Sequence, residues 1–337
     1  MNLLKQIRHR AEWLAVRALA LLVPALPRGF VHGTADLSGA AAAFIDLPGR
    51  RVALSNLATA FPEMLAASRR RLVRQSYQHF ARAQADLFWS ARLTPEKLAE
   101  VFDLSDLERL KSERGECGHI FACLHYGGFE WIALVLGLCE FDCTVVTQAF
   151  KNPLLDDTFN ALREVSGHQT VRREGALLRL FKALQNRRSV VLAVDLTIPA
   201  KLPCVPVTCF GMQTCMTFAH SFLHKRTGAP IIPTYCEPLP GGRYRLVLAP
   251  ALELPPAATH QQVAQACWDH FEPVIRRSPA PWLWMYKHWR YRPANATRPY
   301  PDYANQSSWF EVRLARAASE KARNLQAHAA PASGVSA

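Results

Sequence analysis

From Gly118 onward the chain alternates short apolar runs with helix-length segments, and this alternation restricts the fold more than any other feature of its 337 residues. Apolar runs bounded by turn residues predict strands at 119–124, 142–147, 189–195, 230–236 and 243–248. Helical spacing predicts helices from about 129, at 156–165, 174–186 and 214–226, and at 260–276. Residues 196–211 read as a loop. Strand and helix in alternation imply an α/β fold whose mixed, largely parallel central sheet is covered by helices on both faces.

The first hundred residues have a different pattern. Leu72, Val73, Tyr77, Phe80, Ala81, Leu87 and Phe88 recur at helical spacing, and Thr94-Pro95-Glu96 has the form of an N-cap followed by proline. At the start, the basic stretch 5–10 precedes an apolar stretch, 13–26, interrupted by Arg17 and Pro24. A bilayer span needs about 20 apolar residues, so an interfacial helix is expected instead, with packing on the protein's own core as the alternative. The expected organisation is a membrane-associating helix at 1–30 and one domain at 31–310, helical over 31–115 and α/β over 116–295. A tail at 311–337, a frayed helix or partly disordered, follows.

A net charge of +13 calls for anionic company: nucleic acid, acidic headgroups or an acidic protein. The basic residues are dispersed in small clusters without an RNA-binding signature, so no nucleic acid is expected. Nine cysteines without a CxxC pair read as reduced, mostly buried thiols, and their spacing with the histidines matches no zinc pattern. His220 and His224, four apart, have no third ligand in view, and no metal is expected.

Chemistry concentrates in the stretch 119–131. An apolar strand ends at His125, Gly127 and Gly128 allow a tight turn, and a helix begins with Glu130 in its first turn. The expected geometry brings the Glu130 carboxylate to one ring nitrogen of His125, leaving the other free to take a proton from a hydroxyl. The amides of Gly127 and Gly128 could then approach a developing oxyanion. By itself this spacing also describes an ordinary strand-to-helix turn.

Other segments give it context. Asn56-Leu57 precedes Phe61-Pro62-Glu63; Asn152-Pro153 precedes Arg163, Gly167 and Arg172-Arg173; Asp195 closes a strand. Val205-Pro206 and Phe210-Gly211 are followed by Arg226-Thr227-Gly228-Ala229-Pro230 with Pro233, and then by Pro281-Trp282, Trp284, Trp289-Arg290 and Pro293. With these motifs the chain, from about residue 12 to 293, resembles the lysophospholipid acyltransferase superfamily and, within it, the lipid A biosynthesis lauroyl and myristoyl acyltransferases.

The resemblance implies a glycerolphosphate acyltransferase-like fold, His125 and Glu130 as catalytic residues, and Arg163, Asn152, Gly128, Asp195 and Gly211 as substrate-binding ones. It implies an acyl thioester co-substrate on acyl carrier protein, or on CoA, with no resident cofactor. The implied acceptor is a hydroxyl of an anionic lipid A precursor at the cytoplasmic face of the inner membrane. Leu196 stands where the family usually has glutamine, and Val207-Thr208-Cys209 replaces part of an aromatic loop, which leaves the acceptor open to lysophospholipids and aminolipids. The alternatives of another class are a catalytically silent membrane-binding protein and a thioesterase-like hydrolase.

Overall fold

The chain is described by a computed structural model over residues 3–112 and 117–329. It opens with helices α1 (Leu3–Leu22), α2 (Arg28–Ile45), α3 (Leu47–Ala60), α4 (Ala66–Trp89) and α5 (Leu98–Val101). A two-residue strand β1 (Phe102–Asp103) and helix α6 (Ser105–Ser112) lead to β2 (Ile120–Gly127), α7 (Ile132–Leu138), β3 (Cys143–Thr147) and α8 (Asp156–Arg163). Next come β4 (Gln169–Arg172), α9 (Ala176–Gln185), β5 (Ser189–Ala193), β6 (Val205–Cys209), β7 (Met212–Met216) and α10 (Ala219–Thr227). β8 (Ile231–Pro238), β9 (Tyr244–Leu248), α11 (His260–Arg277) and α12 (Ser308–Ala329) complete the order.

Seven strands form one sheet in the order β1-β9-β8-β2-β5-β3-β4, parallel throughout except between β8 and β9. The expected mixed, largely parallel sheet with helices on both faces is therefore present. Alternation along β2 divides the core. Ile120, Ala122, Leu124 and Tyr126 pack with α9, α10, α11 and the closing tryptophans, whereas Phe121 and Cys123 pack with α7 on the other face. His125 continues this second, odd-numbered row.

The structure differs from the sequence reading in three places. Residues 205–216, read as the end of a loop and the start of a helix, form the antiparallel hairpin β6–β7. Phe210 (φ 51°) and Gly211 (φ 72°) make its two-residue turn with both residues left-handed, a conformation that matches the twist of the paired strands. Phe210 accepts that conformation because its ring is fully buried against Trp282 and Trp284. Phe102, inside the region expected to be helical, joins the sheet edge because its side chain fills the space between Trp131 and Tyr244. Gln169–Arg172, given no strand in the sequence reading, forms edge strand β4 beside β3, its largely polar residues being half-buried or exposed. The stretch expected as a frayed helix or partly disordered tail is helical from Ser308 to Ala329, and residues 330–337 lie outside the described ones.

The helical layer is fastened close to the sheet. At Gly39 on α2, a Cβ would come within 2.7 Å of the α4 backbone, so only glycine permits this approach. Opposite, the outer face of α2 carries Phe30, Leu37, Phe44 and Ile45, at least 59% exposed, and α1 exposes Leu3, Leu4, Leu14, Leu21 and Leu22. Val16 and Ala20 of α1 pack inward on Leu87, Phe88, Phe159 and Leu162, so α1 has both an inward and an outward apolar face. No helix among the described residues is long and apolar enough to cross a membrane.

Asn56 ties this layer to the closing segment. Its buried amide donates to the carbonyls of Trp284 and Tyr286, both at 2.8 Å, and its oxygen accepts from the Tyr303 hydroxyl. Asn56→Ala leaves two buried carbonyls short of a donor, and is expected to lower the unfolding free energy by about 3 kcal/mol in chemical denaturation. A loss under 1 kcal/mol would show that the anchor matters little.

Candidate active site

His125 and Asp195 meet because of strand register. β2 and β5 run parallel with Cys123 opposite Ala193, so the residues two further along each strand stand side by side at the sheet's carboxyl edge. The β2–β8 ladder also shifts there: β2 advances from Cys123 to Gly127 while β8 advances only from Thr234 to Cys236. An irregularity of this kind re-aims the side chains within it, and His125 lies within it.

The histidine's partner is Asp195. Its Oδ1 lies 2.7 Å from His125 Nδ1, and its Oδ2 accepts from the His125 backbone amide (3.1 Å) and from Trp282 Nε1 (3.0 Å). The carboxylate holds the proton on Nδ1, leaving Nε2 with the lone pair that can act as a base. Burial opposes the charge on both groups. For His125 it is outweighed by the charge and hydrogen bond of Asp195, with a further contribution from Glu130, so its pKa lies above 6.5. For Asp195, burial is likewise overcome by His125 and by the bond from Trp282, and its pKa lies below 3.8. His288, stacked on Trp282 at 3.9 Å, is pushed down to about 4 chiefly by burial and so stays neutral at pH 7.

Glu130 does not take the place expected for it at the His125 ring. Its carboxylate is gripped by the Arg163 guanidinium through two 3.0 Å bonds, with Gln84 Nε2 at 3.5 Å. This side-chain pair is nonetheless close enough to matter electrostatically to His125, and all three line the same cavity. The helix start that carries Glu130 is fixed from behind: Trp131 Nε1 donates to the Asp86 carbonyl and to Ser90 Oγ, each at 2.9 Å. The buried Asp86 carboxylate in turn accepts from Arg28 and the Tyr244 hydroxyl and lies 2.8 Å from His32 Nε2.

The cavity, about 320 Å³, runs from His125, Phe129, Glu130 and Arg163 down between α7 and β3, past Ala133, Val145 and Val191, to His168. Phe129 stands edge-on to His125 at 5.0 Å and stacks on Phe80, which is 38% exposed. His168, whose Nδ1 lies 2.9 Å from Ser166 Oγ, is held down to about 4 mainly by burial, so a neutral ring forms part of the wall.

The remaining expected residues lie elsewhere. Asn152 is buried away from the cavity: its amide donates to the His9 carbonyl and to Glu12, and its oxygen caps Leu154, so it fastens α1. Gly211 is the hairpin turn, beneath the Arg298 guanidinium. The Gly127 amide already donates to the Pro281 carbonyl (3.1 Å), and the Gly128 amide is bonded to the Cys236 sulfur, so neither is a free oxyanion donor here. Gly128 is required for another reason: a Cβ would meet Cys236 Sγ at 2.9 Å and the Tyr244 ring at 3.1 Å. Trp282, Gln84 and His168 were not singled out as site residues. The tryptophan lay inside a recognised motif, whereas nothing in the sequence marked the other two.

The cavity places an imidazole with a free ring nitrogen at its mouth and no activated nucleophile among its lining residues. Its one thiol, Cys123, donates to the Phe121 carbonyl, and burial followed by the Asp195 charge pushes its pKa well above 9. An imidazole at an apolar cavity with no protein nucleophile beside it is compatible with transfer to a nucleophile that a substrate brings. The sequence profile of the bacterial lipid A biosynthesis acyltransferases matches residues 1–291, and the chain belongs to that family; it is an acyltransferase. It is similar to the phosphatidylinositol mannoside acyltransferase of Mycobacterium tuberculosis (strains CDC 1551/Oshkosh and H37Rv), 27% identical over 290 residues, covering 83% of this chain and 87% of the relative. It is also similar to the lipid A biosynthesis lauroyltransferase of Escherichia coli K12, 22% identical over 306 residues, covering 87% and 95%.

The pKa directions fix a pH response. Neutral imidazole is the basic form, so if His125 is the base, transfer should rise with pH through a midpoint above 6.5. Asp195→Asn removes the charge that opposes burial, so the midpoint should fall while the maximal rate drops through the loss of ring orientation. A pH–rate profile at saturating donor measures both; an unmoved midpoint in the variant would remove Asp195 from control of the base.

Proposed function

We propose that this acyltransferase moves a fatty acyl group from a thioester, carried by acyl carrier protein, to a hydroxyl of a lipid A precursor or a related anionic membrane lipid. The observation that carries this reading is the pairing of His125 with buried Asp195 at the mouth of an apolar cavity. His125 Nε2 takes the proton as the acceptor hydroxyl attacks the thioester carbonyl. The tetrahedral intermediate then expels the thiolate, which recovers the proton from the imidazolium. The new C–O bond replaces the C–S bond, and no covalent enzyme intermediate forms.

Glu130 and Arg163 have a different role. Their bidentate pair forms the rim beside His125, where the Glu130 charge raises the basicity of the ring and the Arg163 guanidinium is placed to exchange its partner for an anionic headgroup. The apolar wall accounts for an acyl substrate, since each methylene taken out of water contributes about 0.8 kcal/mol. The exposed apolar side chains of α1 and α2 support a membrane surface as the place of reaction, with Lys5, Arg8, Arg10 and Arg17 near acidic headgroups. The names of the relatives favour glycolipid acceptors over lysophospholipids.

His125→Ala should lower transfer by about 10²–10⁴-fold while circular dichroism and thermal unfolding stay near wild type. Glu130→Ala, which strands the Arg163 guanidinium, should also lower turnover. Product analysis with and without lipid acceptor separates this reading from hydrolysis, because a hydrolase would release free fatty acid in both. Normal transfer by His125→Ala would sink the mechanism.

A further inference from the structure

A second concavity, about 480 Å³, opens between α9 and α10, lined by Leu177, Leu178, Phe181, Phe222 and Arg226 together with Gly175. Its walls are apolar and open to water: Leu178 is 61% and Leu177 38% exposed. The segments that form it are cationic. Arg172 and Arg173 just before α9, Arg179 and Lys182 on α9 and Lys225 on α10 are exposed, and the Arg226 guanidinium lies over the Phe222 ring at 5.6 Å. Along 172–182 and 222–228 the one acidic residue is Glu174, and Asp156 draws off only part of the Arg172 charge.

The groove lies on the face of the sheet opposite α7 and the catalytic cavity, and the two approach each other at the carboxyl edge of the strands. α9 begins just after β4, and the Arg173 amide there donates to the Thr147 carbonyl at 3.0 Å. Thr147 and Gln148 are walls of the catalytic cavity. An object seated over α9 and α10 is therefore placed at the same carboxyl edge of the sheet as His125.

We propose that this groove is where a small acidic carrier protein docks to present its acyl thioester. The inference rests on the acyltransfer reading above and names the surface that receives the donor. A concave apolar slot between helices that carry exposed cations fits an apolar side chain standing among carboxylates on a partner's helix. A lipid surface is served by another part of the molecule, the exposed apolar faces of α1 and α2, where the one acidic or strongly basic side chain between 29 and 45, Asp36, is ion-paired with Arg82.

The test uses the full chain and two donors bearing the same lauroyl group, one on purified bacterial acyl carrier protein and one on free pantetheine. Leu178→Glu and the pair Arg179→Glu with Lys182→Glu should each raise KM for the carrier-borne donor by about tenfold or more, with kcat and pantetheine-donor turnover within about twofold of wild type. Fluorescence anisotropy of the labelled carrier should show the same loss, and added salt should weaken wild-type binding. Equal slowing with both donors, no slowing with either, or loss of binding to phosphatidylglycerol vesicles with carrier kinetics intact would overturn the assignment. If the wild type transfers from neither donor, the acyltransfer reading fails, and anisotropy alone then decides whether the carrier binds this groove.

Discussion

Asp195 has no exposed surface, and a carboxylate in that position remains an anion only if its oxygens are filled by donors. The donors come from distant parts of the chain. His125 arrives at the end of the central strand, and Trp282 belongs to the closing segment that crosses beneath it. That segment is itself held by the helical layer, through Ser76 Oγ on the Trp282 carbonyl and Asn56 on those of Trp284 and Tyr286. Sheet, helical layer and closing tryptophans thus converge on one buried charge, and the orientation of the imidazole depends on all three.

The helical layer has a second consequence for the site. Asp86, on α4, gathers Arg28, His32 and Tyr244, while its backbone carbonyl receives the Trp131 indole. Glu130 immediately precedes Trp131, so the ion pair with Arg163 is aimed by a network that reaches back to α2. Breaking any one member would leave a buried polar group without its partner, which costs more than the bond itself is worth. The residues before the sheet are therefore part of the site's construction and cannot be treated as a separable appendage.

Five of the seven sheet strands were legible in the sequence because each is an apolar run bounded by turn residues, whereas the edge strands β1, two residues long, and β4, the largely polar Gln169–Arg172, carry no such signal. The β6–β7 hairpin was not legible either, because Pro206 inside the run argued against a paired strand, and its turn used Phe210 at a positive φ where glycine or asparagine would have signalled it. At the site, the position of His125 at a strand end followed from the pattern. The partner of its ring did not: five residues separate it from Glu130 and seventy from Asp195, and only the order in which strands pair brings the more distant carboxylate closer. Local spacing favours the near neighbour, whereas strand register decides the contact. Asn152 illustrates the converse, since its turn-forming position was readable but its use as the clasp for α1 depends on a segment 140 residues away.

Two carboxylates near one histidine are sorted by what surrounds them. Asp195 is sealed among an indole, an amide and the imidazole, so its position is fixed and its one ring partner is His125 Nδ1. Glu130 sits at the rim with a guanidinium across it, where both charges remain accessible to whatever enters the cavity. The inner pair is thus suited to hold a proton in place, and the outer pair to meet a charged substrate without altering the tautomer. Had the bonding followed the sequence spacing, with Glu130 on the ring, an anionic substrate pulling Arg163 away would have disturbed the base directly. On the function proposed above, separating the two pairs would let headgroup binding and proton transfer proceed side by side.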